Sequence, residues 1–127
     1  MLNTPIDSPN RPQPIGPDNP GIEVGNTVHD SGQGPIDPKT GKLVLGSFEE
    51  QTWLAFGNIK AVVEAGGATL ADVTTVDLRL GDLSNFTKPN AVYLDFFASN
   101  FPAPTTVGSQ VSEHIAIEVD CIAVLPG

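Results

Sequence analysis

The stretch HIAIEVDCIAV, residues 114–124, decides the fold. In an extended chain Ile117, Val119, Cys121 and Ala123 share one side, and Glu118, Asp120 and Ile122 share the other. Successive side chains of a strand point to opposite faces, so the apolar side lies against a core. The other side must be solvated or covered by a second chain. On the core side Cys121 is expected to be a buried, inert thiol.

DVTTVDLRLGD, residues 72–82, gives a second strand of the same kind. Val76, Leu78 and Leu80 point inward, against an outward set of Val73, Thr75, Asp77 and Arg79. TTVGSQV, residues 105–111, reads as a further strand, and Val24 and Val28 flank a Gly25-Asn26 turn in a hairpin spanning 22–31. LVLG, residues 43–46, reads as a short strand after the Thr40-Gly41 turn.

Two helices complete the pattern. Ser47 and Glu50 form a capping box, Ala55, Ile59, Val62 and Val63 place one apolar stripe on the core, and Gly66-Gly67 supplies a left-handed stop. A second helix is expected over 88–98, with Pro89 in its first turn and Val92, Tyr93, Phe96 and Phe97 on its apolar side. This order predicts an α+β architecture, a mixed sheet with two helices on one face. The opposite face, bearing Thr75, Asp77, Glu118, Asp120 and Ile122, has a mixed polarity that favours oligomerisation.

Residues 3–20 carry Pro5, Pro9, Pro12, Pro14, Pro17 and Pro20, a density incompatible with helix or central strand. We expect an extended Pro-rich arm over 1–14 and a single domain over 15–127. The 127-residue length suits one modest core.

Fifteen acidic against six basic residues give a net charge of -9, and the basic residues are scattered. Such a chain lacks the phosphate-neutralising patch that nucleic-acid or anionic-membrane binding requires, so neither partner is expected. No apolar run is long enough to cross a bilayer and no signal-like segment opens the chain, so a cytoplasmic location is the default expectation. His29 and His114 lack metal-ligand spacing, and no phosphate loop, dinucleotide fingerprint or nucleophile elbow occurs, so neither metal nor organic cofactor is expected. What remains for chemistry are Asp18, His29, Asp30 and Glu118, groups suited to proton transfer in a partly dry cleft. One residue of register decides whether His29 or Asp30 faces such a cleft.

Several segments in order resemble one family, the Rid/YjgF reactive-intermediate deaminases: IGP at 15–17, VGN at 24–26, SGQGPIDPKTGKLV at 31–44, EEQT at 49–52, NIKAVVEAGGATLADV at 58–73, NAVYLDFF at 90–97, PAPTTVG at 102–108 and IEVDCIAV at 117–124. The resemblance implies a chorismate-mutase-like subunit forming a homotrimer, with small-molecule sites in the clefts between subunits. It also implies cofactor-independent hydrolysis of enamines or imines. Carried over by position, Glu118 corresponds to the glutamate that positions water, and Ser31 and Gly32 to the ligand-binding SGQ backbone. Asn90, Pro104, Thr105 and Thr106 fall in segments that contact substrate.

Two departures stand out. Asp18 replaces a family tyrosine, and Pro104 replaces the arginine that grips a substrate carboxylate. Loss of a bidentate arginine removes about 2–5 kcal/mol of carboxylate recognition. The expected activity is therefore a hydrolase, deaminase or lyase reaction on a neutral or amine-bearing intermediate, with Glu118 as base and Asp18 or His29 as its partner. The alternative is a noncatalytic ligand-binding or regulatory trimer.

Overall fold

The computed structural model describes residues 3–6, 19–98, 101–112 and 114–127. The C-terminal strand β6 (Ile117–Val124) runs between β3 (Thr27–Gln33) and β4 (Val73–Leu80), antiparallel to both. Strands β1 (Thr4–Ile6), β2 (Gly21–Val24) and β5 (Ala103–Gly108) complete a sheet of order β1-β2-β3-β6-β4-β5. The β4–β5 pair is parallel. Helices α1 (Phe48–Ala65) and α2 (Asn90–Phe97) supply the second layer.

The alternation of residues 117–124 holds throughout. Ile117, Val119, Cys121 and Ala123 are buried, while Glu118, Asp120 and Ile122 are half-buried on the opposite face. In β4 it holds only from Thr75 onward. The pairing with β6 slips between Val73 and Thr75, and that extra residue turns Val73 into the core beside Val76 instead of outward.

Helix α1 begins as its sequence specifies, with the Ser47 hydroxyl accepting the Glu50 N–H at 3.1 Å. Its stripe of Ala55, Phe56, Ile59, Val62 and Val63 is fully buried against the sheet. The helix stops at Gly66, and Gly67 follows at φ +87°, a conformation costly for any residue with a Cβ. Two buried amides fasten it to the loops. Asn58 donates to the carbonyls of Gly34 at 3.0 Å and Ile36 at 2.9 Å, and Gln51 bridges the Gly46 carbonyl and the Ala116 N–H.

Helix α2 is shorter than the expected 88–98, because a turn closed by Lys88 and Asn90 N–H groups precedes it and Pro89 is its N-cap residue. Phe56 packs edge-on against Phe96 at 5.4 Å and Trp53 lies 5.1 Å from Phe96, which fixes α2 against α1.

The expected strand at 43–46 does not form. Leu43 makes a single bridge with Ile36, Leu43 and Leu45 are exposed, and the N-cap of α1 follows at once, so no ladder can extend. Strand β5 starts at Ala103 and ends at Gly108, displaced from the expected 105–111. Within the expected arm, Thr4–Ile6 pairs with β2 as an edge strand and Ile6 enters the core. Pro5 is tolerated there because an edge strand leaves one side of its backbone unpaired.

Candidate functional site

On the sheet face away from the helices, the β3–β6 pairing is irregular between Asp30 and Gln33. There Gly32 lies directly against Glu118, whose carboxylate occupies the space a Cβ at position 32 would need. The Ser31 hydroxyl accepts from Gln33 Nε2 at 3.1 Å, which leaves its own proton free to donate. The Ser31 N–H is held by the Pro20 carbonyl at 2.8 Å.

Across from Glu118 in register stands Arg79, which forms an ion pair with Asp120, and Asp77 faces Asp120 from β4. The hydrogen bond to Asp120 raises the Arg79 guanidinium further, with Glu118 and Asp77 adding to it. This face therefore carries three carboxylates around one cation, all half-buried. Arg79 escaped the sequence reading as a site residue because one outward arginine among alternating residues reads as a solvated position.

The register question between His29 and Asp30 resolves by face. His29 is exposed on the open side, opposite Ile122, four residues along β6 from Glu118 or about 13 Å at the usual strand rise. Asp30 turns inward, pairs with Cys121 and is 7 % exposed. Burial, then the nearby Asp120 charge, pushes its carboxyl well above the usual 3.8. The Cys121 thiol donates to Asp30 Oδ2 at 3.9 Å, and burial pushes that thiol far up, as an inert sulfhydryl requires. Asp18 lies outside the described residues.

The remaining predicted residues gather elsewhere. A groove of about 220 Å³ between β5 and α2 is lined by Leu78, Phe86, Pro89, Tyr93 and Pro104, with Asn90 and Thr106 contributing polar groups. Pro104 and Thr106 pair with Val76 and Leu78, so both point to the helix side of the sheet. Thr105 pairs with Asp77 and points to the open side. Tyr93 was legible only as an apolar helix residue. Its spacing of three from Asn90 puts both on one face of α2, and that was the signal available.

The structure thus brings Gly32 and Glu118 together, with Ser31 next to Gly32 in the chain and its hydroxyl turned to Gln33, and separately gathers Asn90, Pro104 and Thr106. Two strand spacings and the sheet itself lie between the sets.

A mixed sheet with two α-helices on one face and an open polar face defines a chorismate-mutase-like α+β subunit. The family model described as endoribonuclease L-PSP matches residues 8–125. The RutC family protein of Pyrococcus abyssi is 44% identical over 113 residues, covering 88% of this chain and 89% of that protein. The 2-iminobutanoate/2-iminopropanoate deaminase of Dermatophagoides farinae is 40% identical over 121 residues, 94% of each chain. The structure of Escherichia coli TdcF with bound serine superposes with a TM-score of 0.90 at 30% identity, covering 97% of this chain and 99% of that one. The chain belongs to this Rid/YjgF family. Among the described residues no helix is long and apolar enough to cross a membrane.

Proposed function

We propose that the protein is a cofactor-independent enzyme of the Rid type, hydrolysing a small neutral or amine-bearing imine or enamine in clefts between the copies of a homotrimer. The observation that carries this reading is the contact of Glu118 with Gly32. Only a glycine lets the carboxylate rest on that backbone. A half-buried carboxylate so placed can take a proton from water as the water attacks an imine carbon. Asp18, and not His29 at about 13 Å from Glu118, would return a proton to the departing nitrogen. The Gly32 backbone of one copy would orient the ligand from one side, and Asn90, Pro104 and Thr106 of the next copy from the other.

The division of the site supports assembly of more than one copy, and the family resemblance suggests three. Residues on opposite faces of one sheet cannot hold one small ligand, whereas the exposed edge strand β5 of one copy can approach the open face of the next. Relatives named 2-iminobutanoate/2-iminopropanoate deaminase support imine hydrolysis as the reaction type. Pro104 directs the substrate away from arginine-anchored 2-imino acids. A panel of enamines and imines generated in situ, followed by ammonia release, tests the reading. Turnover by the wild-type chain should fall about 10²–10⁴-fold in Glu118→Gln. Unchanged turnover in that variant removes Glu118 from the mechanism, and ligand-induced stabilisation without turnover favours a noncatalytic binding trimer.

A further inference from the structure

We propose that the β5–α2 groove selects the body of the substrate, and that this body is an uncharged aryl or branched-alkyl group without a carboxylate; the inference rests on the enzyme reading above. Its walls are Leu78, Phe86, Pro89, Tyr93 and Pro104, and among the described residues no charged side chain lines it. An apolar cavity of about 150 Å³ accommodates benzene, so about 220 Å³ admits a ring with a short substituent.

The Tyr93 wall presents its ring and not its hydroxyl. Tyr93 spends its hydroxyl on the Pro102 carbonyl at 2.8 Å, and its ring stands 6.2 Å from Phe101 in a stacked arrangement. A second aryl group gains from such edges and faces beyond its buried area. The Asn90 amide and the Thr106 hydroxyl have no side-chain hydrogen bond among the described residues, so each can serve one neutral polar atom of a ligand. An anion finds no cation among the described residues of this groove, and the net charge of -9 opposes its approach.

The matching substrate is an imine R–CH=NH with an apolar R. Water oxygen bonds to the imine carbon while the C=N pair moves to nitrogen, which is protonated. The C–N bond then breaks, ammonia leaves with the pair and C=O forms, giving R–CHO and NH₃ with no net oxidation. Imines of this class arise by two-electron oxidation of primary amines R–CH₂–NH₂, so an amine-oxidising reaction must supply the substrate.

The test is a pair of stable probes with one body, phenylacetamide and phenylacetate, titrated by ligand-observed NMR into the wild-type chain, Asn90→Ala and Pro104→Arg. We expect phenylacetamide to bind the wild-type chain at least tenfold more tightly. Asn90→Ala should weaken it severalfold, and Pro104→Arg should reverse the preference. Equal or tighter binding of phenylacetate by the wild-type chain overturns the inference, as does failure of phenylacetamide to bind. Binding needs no turnover, so phenylacetamide bound without ammonia release from an aryl aldimine sinks only the enzyme reading.

Discussion

Burial in the sheet–helix interface favours the protonated form of the Asp30 carboxyl, and its replacement by asparagine has a calculable signature. Its side chain is 7 % exposed and Oδ1 has no hydrogen-bond partner among the described residues, so ionising it in the folded chain means charging a nearly dry site beside Asp120. The folded carboxyl therefore holds its proton well above 3.8, the value expected of it unfolded. A raised folded pKa means that the native state binds the extra proton. Its stabilisation is complete below pH 3.8 and is lost as pH rises toward the folded value. Across that window the loss is about 1.4 kcal/mol per pH unit. The amide of Asp30→Asn cannot titrate, so the difference in unfolding free energy between the wild-type chain and this variant isolates one group. Urea unfolding of both chains at rising pH from about pH 4 should show the wild-type advantage shrinking at close to that slope until the folded carboxyl ionises. A difference that stays flat over the range refutes the argument, because Asp30 would then titrate alike in both states.

Asn58→Ala removes both donors that hold the Gly34 and Ile36 carbonyls, and denaturant unfolding should show a loss of about 2–4 kcal/mol; a loss below about 1 kcal/mol contradicts the clamp. In Gly32→Ala the new methyl displaces a movable carboxylate and not backbone, so Tm should shift little while any turnover found falls as far as in Glu118→Gln. Retained turnover in that variant contradicts the contact's role. Arg79→Ala leaves Asp77, Glu118 and Asp120 on one face without a cation. Sedimentation should show weaker self-association that added salt restores, and salt-independent association contradicts it.

The strands and helices whose side chains bury one face were readable directly, since residues 117–124 and 55–63 carry uninterrupted periods. What the sequence obscured were features set by pairing partners. LVLG has strand-like residues and no neighbour to extend a ladder with, while Thr4–Ile6 gains a partner in β2 despite Pro5. The slip near Thr74 moved Val73 to the core, because one inserted residue reverses a period of two. At the site, Glu118 stood out as an acid between buried neighbours, and its contact with Gly32 depends on a β3 irregularity that no residue type announces. The groove around Tyr93 was hidden for the opposite reason: its walls look like ordinary core residues until α2 and β5 leave a gap between them.

The proposal that one site is assembled from two copies is open to complementation. Pro104→Arg puts a charged side chain into the groove and Glu118→Gln spoils the open face, so each homotrimer should be nearly inactive on an uncharged imine. Random mixing of the two should regenerate sites with an intact Glu118 from one copy and an intact Pro104 from the next at a frequency of about one quarter. Co-expressed and co-purified chains should therefore recover about a quarter of wild-type ammonia release. Activity of the mixture no higher than that of the two separate variants contradicts a site shared between copies.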